Sequence, residues 1–181
     1  MMAGLGADGL MLALTDPRLK RLLGAGGIAV GAVRALPSIR PFHVVVSTEE
    51  GESWAGDVLQ LIVANTRRYA NVIEVTPMAY ADDGLLDLTA IPVAGWRPAA
   101  RLAWSLLADR RPRPGDVPHL RSRRFWVEVD GVPPMEFDGS PLRHPSVARA
   151  GRGPYRIEID PGALLLRVPV AYDGAIFQNA A

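Results

Sequence analysis

The 181 residues set 20 lysines and arginines against 19 acids, for a formal net charge of +1, and 49% of them are hydrophobic. Such a balance gives no field strong enough to imply a nucleic-acid partner, while the length and apolar content suit one packed domain. Cysteine is absent, which excludes disulfides, thiolate nucleophiles and cysteine-ligated zinc or iron–sulfur sites.

Gly4-Leu5-Gly6-Ala7-Asp8-Gly9 matches a G-x-G-x-x-G pattern. A dinucleotide fingerprint needs a strand before it and a βαβ unit around it, so the segment reads as a flexible small-residue lead-in to a helix. Residues 8–37 read as mainly helical: Leu10, Leu14, Leu19, Leu22 and Leu23 recur at helical spacing, and Pro17 is placed to open a second helix. The apolar run Leu10–Leu14 has no positive region before it and is flanked by Asp8 and Asp16, which does not suit a signal peptide. With no run long enough to span a bilayer, a cytoplasmic protein with peripheral membrane contact is expected.

From residue 41 the period becomes two. Phe42, Val44 and Val46 alternate with His43, Val45 and Ser47; Glu49-Glu50-Gly51-Glu52 is a turn, and Trp54 to Ala64 reads as the second arm of a hairpin. Thr76 to Leu88 contains Asp82-Asp83-Gly84 directly before an apolar strand, Leu86–Val93. Aspartate and glycine there make a tight turn, and a carboxylate with free carbonyls suits a hard cation. Pro98–Asp109 reads as a short helix, and 110–115 as a proline- and arginine-rich connector. Strand alternation returns at Phe125–Val129, Ile157–Ile159 and Leu164–Val168. Many short strands with Gly, Pro and Asp turns predict an antiparallel sandwich or barrel-like sheet with helices. Residues 171–181 read as a tail.

The histidines, His43, His119 and His144, are scattered and not at metal-ligand spacing, and neither Ser105 nor Ser140 has a nearby triad pattern. Arg110, Arg111, Arg113, Arg121, Arg123 and Arg124 form a basic patch. Aromatic interleaving is thin, so an anionic lipid surface is favoured over nucleic acid.

Three runs, Val63-Ala64-Asn65-Thr66-Arg67-Arg68-Tyr69, Val75-Thr76-Pro77 and Asp82-Asp83-Gly84-Leu85-Leu86-Asp87, resemble the C-terminal half of the diacylglycerol kinase-type lipid kinases, which include bacterial members and the sphingosine and ceramide kinases. The downstream order is similar too: an Asp-Gly turn at Asp138-Gly139, then Pro161-Gly162-Ala163-Leu164 before a final strand. The resemblance covers most of residues 3–169 and implies an α+β, mainly β domain over 1–170: the antiparallel β-sandwich of the NAD kinase/diacylglycerol kinase C-terminal type. It implies transfer of the ATP γ-phosphate to a lipid hydroxyl, with Asp83 giving a carboxylate, and Tyr80 and Leu85 main-chain carbonyls, to a Mg2+ ion. Asn65, Arg121, Arg123 and Arg124 are then candidates for the lipid headgroup.

The chain departs from the family in three places. The nucleotide domain with its Gly-Gly-Asp-Gly-Thr loop is absent from these residues, so ATP chemistry implies a separate nucleotide-binding domain. Ala70-Asn71-Val72 replaces a glycine triplet. The family's Asp-Gly-Glu turn, whose glutamate acts as base, reads Asp138-Gly139-Ser140. Glu136 is expected to point to the same face as Asp138 rather than into the turn. The implied function is the C-terminal half of a lipid kinase, inactive without a nucleotide domain; the alternative is a non-catalytic lipid- or membrane-binding module. A sheet edge left open by the missing domain could pair two copies.

Overall fold

The structure is a computed structural model that describes residues 1–14, 38–69, 73–74, 76, 78–93, 117–141, 154–165, 167 and 177. The helices expected over 15–37 and 98–109, the 110–115 connector with Arg110, Arg111 and Arg113, the 70–72 triplet, His144 and most of the tail lie outside these residues.

The chain opens with strand β1 (Met2–Gly6) and helix α1 (Ala7–Leu14). Strands β2 (Phe42–Thr48) and β3 (Ser53–Ala64) form the predicted hairpin; a small ladder, β4 (Arg68–Tyr69) with β5 (Ile73–Glu74), follows. Next come β6 (Leu86–Pro92), β7 (His119–Ser122), β8 (Arg124–Val129), β9 (Met135–Phe137), β10 (Ser140–Pro141) and β11 (Tyr155–Glu158). All their pairings are antiparallel.

The architecture turns on β3. Its first half, 53–58, pairs with β2, and its second half lies between β1 and β6, with a register shift between Val58 and Gln60. A bulge bends a strand and sharpens its twist, so one long strand can serve two layers. Layer A runs β10-β9-β1-β3-β6-β7, and layer B runs from β3 through β2 and β8 to β11. Between them lies the core: Leu5, Leu61, Val63, Leu86, Leu88 and Ala90 from layer A meet Phe42, Val44, Val46, Val58, Phe125, Val127 and Val129. The alternation legible in the sequence is the burial of every second residue of β2 and β8 against this core.

Layer A is buried on its outer face as well. Met2, Ile62 and Ala64 form a second cluster there, and Gln60, Asp87, Thr89 and Glu136 are also buried. Helix α1 packs against β1, β9 and β10.

Two expectations need correction. Gly4-Leu5-Gly6 is not only a flexible lead-in to a helix; it is the body of strand β1, flanked by β3 and β9. A Cβ at Gly6 would meet the Leu59 backbone carbonyl, and one at Gly4 would fall on the Asp8 carboxyl, which would have to shift. Leu164 and Leu165 are not in a strand: both are exposed coil, 71% and 93% accessible, while Leu166 and Val168 lie outside the described residues.

Candidate functional site

Residues far apart in sequence meet at one end of layer A. The registers Met2↔Ala64, Ala64↔Asp87 and Asp87↔Arg121 form one row across β1, β3, β6 and β7. Asn65 follows Ala64 at the end of β3; its backbone N–H donates to the Met1 carbonyl and its Oδ1 accepts from the Met1 amino group at 3.0 Å. Asp138 sits beside the same strand end, its N–H donating to the Met2 carbonyl and its Oδ1 accepting the Met2 N–H at 2.7 Å. The Asp82-Asp83-Gly84 turn stands at the same end, immediately before β6. Asn65, Asp83 and Asp138 therefore share one rim, with β1, β3 and β6 beneath them.

The aspartate turn is built from its own residues. Asp83 Oδ1 accepts the Leu85 N–H at 2.9 Å, an Asx turn, and Gly84 has φ +72, where a Cβ would be strained. Asp83 Oδ2 takes the Arg121 Nη2 at 2.5 Å, and the Asp83 side chain is only 4% exposed. Arg121 Nε lies 3.3 Å from Asp87 Oδ1, which also meets His119 Nε2 at 2.7 Å. Asp87 is fully buried, and its Oδ2 has no hydrogen-bond partner. Two buried carboxylates, one guanidinium and one imidazole thus form a linked cluster under the turn. Tyr80, on the approach to the turn, carries Arg67 over its ring at 4.0 Å, a cation–π contact.

The second turn is a two-residue hairpin. Ser140 pairs with Phe137, and both central residues have positive φ, +46 at Asp138 and +77 at Gly139. Asp-Gly is the preferred sequence for such a turn because its twist matches the flanking strands. Ser140 begins β10 at the position where the resemblance places a catalytic glutamate. Glu136 departs from expectation here: its Oε2 reaches round to accept the Gly139 N–H at 2.7 Å, so its carboxyl does address the turn.

The arginine patch separates into parts. Arg121 is committed to Asp83 and Asp87, and Arg124 pairs with Glu49 at 3.0 Å and Glu158 at 2.9 Å while lying 5.8 Å from the Trp126 ring. Glu158 has its carboxyl drawn below the usual range by Arg156 and then Arg124. Arg123 is exposed.

Asp87 and His119 were not picked out as site residues from sequence. The available signal was an acid at the second position of an apolar strand, Leu86-Asp87-Leu88, since a buried carboxylate requires a partner.

Residues 3–168 match the family described as the YegS C-terminal NAD kinase beta sandwich-like domain. This chain belongs to that family. It is 29% identical over 157 residues to a Stenotrophomonas maltophilia (strain K279a) protein named "Probable lipid kinase YegS-like", covering 86% of this chain and 48% of that protein. It is 30% identical over 159 residues to the protein of the same name from Xanthomonas euvesicatoria pv. vesicatoria (strain 85-10), with the same coverage. The fold is similar to a Bacillus anthracis str. Sterne structure assigned as a diacylglycerol kinase, with TM-score 0.63 and 18% identity over 89% of this chain and 50% of that one. A second structure so assigned gives 0.60 and 15%, over 87% and 47%. The antiparallel sandwich expected from the sequence is the fold of this lipid-kinase family domain. The chain spans about half the length of the curated relatives it matches.

The donor chemistry of the aspartate turn fits a hard cation. Asp83 uses one acceptor site on each oxygen, and a carboxylate offers about four. Asp87 Oδ2, buried and without a hydrogen-bond partner, is a further oxygen acceptor beneath the turn that the cluster does not use.

Proposed function

We propose that these residues form the lipid-side half of an ATP-dependent lipid kinase that phosphorylates the hydroxyl of a diacylglycerol-like lipid. The observation that carries this reading is the shared rim of Asn65, Asp83 and the Asp138-Gly139-Ser140 turn in a domain whose curated relatives bear a lipid-kinase name. Phosphoryl transfer depends on positioning and charge neutralisation more than on covalent chemistry. In this reading Asp138 is the carboxylate left at the lipid hydroxyl, and Asn65 and Arg123 face the headgroup. Arg121 and Arg124 act through the acids they hold. The protein works in the cytoplasm, peripherally at a membrane.

ATP requires the Gly-Gly-Asp-Gly-Thr loop, which these 181 residues lack. The chain by itself is therefore expected to transfer no phosphate from ATP to diacylglycerol in mixed micelles. Adding the nucleotide-binding half of the Stenotrophomonas relative in trans, with Ser140→Glu in this chain, is expected to give measurable product. Robust transfer by the unaided chain would refute this division of labour.

Magnesium, when bound, would neutralise the acids of the turn, held by Asp83 and the Tyr80 and Leu85 carbonyls. At ten times its dissociation constant a ligand stabilises by roughly 1.4 kcal/mol, or ~3–5 °C in Tm for a chain this size. Scanning calorimetry with and without MgCl2 should show that shift in the wild type and none in Asp83→Asn.

Ser140 favours one second reading. Serine does not accept a proton at neutral pH as a carboxylate does, which suits a non-catalytic lipid-binding module. Binding to anionic vesicles in flotation, with no rescue of transfer by Ser140→Glu, would select it.

A further inference from the structure

Away from the aspartate turn, two more acids are buried beneath helix α1. Asp8, in the first turn of α1, is 3% exposed, and Glu136, on β9, is 1% exposed. Each has one oxygen bonded to a backbone N–H: Asp8 Oδ1 accepts from Gly9 at 2.6 Å and Glu136 Oε2 from Gly139 at 2.7 Å. Each also has one buried oxygen with no partner, Asp8 Oδ2 and Glu136 Oε1. Glu136 stands directly across from Gly4 in the β1–β9 register, so their side-chain positions share one face. The Asp8 carboxyl fills the place of the Gly4 side chain, with Oδ2 1.9 Å from where a Cβ would be. Gly4 thus leaves the space in which the Asp8 carboxyl stands on the face that Glu136 shares.

We propose that Asp8 and Glu136 hold one proton between them, as a carboxylic acid–carboxylate pair that pins the Asp138-Gly139 turn against β1. The proton stays covalently bound to one of the unpartnered oxygens and is donated to the other, so a single O–H···O⁻ bond satisfies both. The alternative, two ionised carboxylates buried side by side, is disfavoured by desolvation and by like-charge repulsion.

The surroundings support a proton rather than a cation partner. The described residues of α1, β1, β9 and β10 bring no other titratable side chain to the pair. From β3 the neighbour is the neutral Gln60, whose Oε1 accepts the Asp8 N–H at 3.0 Å. From the turn comes Asp138, a third acid, which adds repulsion; the Met1 amino group, 3.9 Å from Asp138 Oδ1, is bonded to Asn65. Burial pushes the Asp8 carboxyl up to about 6, against the Gln60 side chain and the Gly9 amide, which favour its ionised form. It pushes Glu136 up to about 7, with the charges of Asp8 and Asp138 adding to the effect. The pair is separate from the phosphoryl-transfer reading and holds whether or not the chain acts on lipid. Glu136 is here a positioning residue, because the hydrogen bond that ties it to the turn is the one from the Gly139 amide.

Both acids bind a proton more tightly folded than unfolded, so their contribution to stability is greatest at low pH. It is lost as pH rises from about 4 through about 7 and is flat above that. The wild-type Tm, taken relative to an Asp8→Asn/Glu136→Gln double variant, should fall by several degrees across that window. The decisive measurement is variant-free: carboxyl 13C NMR of the full 181-residue chain between pH 4 and 9. The Asp8 and Glu136 carbons are expected to titrate in two coupled steps, each trace inflecting at both midpoints, the upper near neutrality. Asp8→Asn should move the Glu136 midpoint down, because it removes a neighbouring charge that holds the midpoint up. Independent titration of both acids in the ordinary carboxylate range would overturn the proposal. So would a Glu136 midpoint indifferent to Asp8→Asn.

Discussion

Replacing Arg121 with methionine is expected to destabilise the domain by about 3–5 kcal/mol, the range for breaking a buried ion pair from one side. Arg121 is the guanidinium that serves both Asp83, 4% exposed, and Asp87, fully buried. Methionine keeps much of the stem's volume and removes only the charge and the donors. Asp83 would be left with the Leu85 N–H, and Asp87 with His119. Lysine should rescue only part of the loss, because an ammonium concentrates its charge at one point, whereas the planar guanidinium bonds Asp83 through Nη2 and still holds Nε 3.3 Å from Asp87. Arg123→Met, on an exposed neighbour, should stay within about 0.5 kcal/mol of wild type. The loss should shrink in Asp83→Asn/Arg121→Met, since contacting residues in one network couple by about 0.5–3 kcal/mol. Urea denaturation of these four variants and of Asp83→Asn alone reads all of this. Equal effects for Arg121→Met and Arg123→Met would mean that the cluster under the turn is not holding charge.

Gly6→Ala should be comparably damaging for an unrelated reason. Gly6 ends β1 with φ +114, and a Cβ there would stand 2.4 Å from the Leu59 carbonyl oxygen and 2.9 Å from Phe42 Cε1. Leu59 lies where β3 shifts register, so the obstructing atom is backbone at the bend between the layers. Strain at positive φ and overpacking each cost about 1–3 kcal/mol, together on the order of 4 kcal/mol. Gly131 supplies the control: it has φ +81 with nothing within 4 Å of a Cβ, so Gly131→Ala should show the strain alone. If urea melts place both variants at the same midpoint, the close approach of β1 to the β3 bend does not limit the fold.

What the sequence disclosed and what it concealed follow from where each side chain goes. Strands β2 and β8 were legible because every second residue enters the core, giving strict apolar alternation. Asp82-Asp83-Gly84 was legible because a tight turn before a strand needs those residue types. Strand β1 was hidden because Gly4 and Gly6 lack side chains for tertiary reasons: an aspartate and a backbone carbonyl occupy their space. Strand β7, His119–Ser122, was hidden inside an apparent basic patch, since Arg121 is held in the strand by pairing with Asp83 and Asp87 rather than by being apolar. The rim shared by Asn65, Asp83 and Asp138 rests on strand order, which local patterns do not encode. For the same reason the Asp8–Glu136 pair shows no local signal, as its members meet only because β9 docks on β1.

Strand β1 lies between β3 and β9, and that sets a timetable for synthesis. It leaves the ribosome well over a hundred residues before Met135–Phe137 emerge, an interval of roughly 7–26 s at ~5–20 residues per second. Once β3 has arrived, the other side of β1 still offers bare amides and carbonyls to any passing chain. Nascent polypeptide is therefore most exposed to mispairing before residue 137, and a chaperone that shields that flank should raise soluble yield.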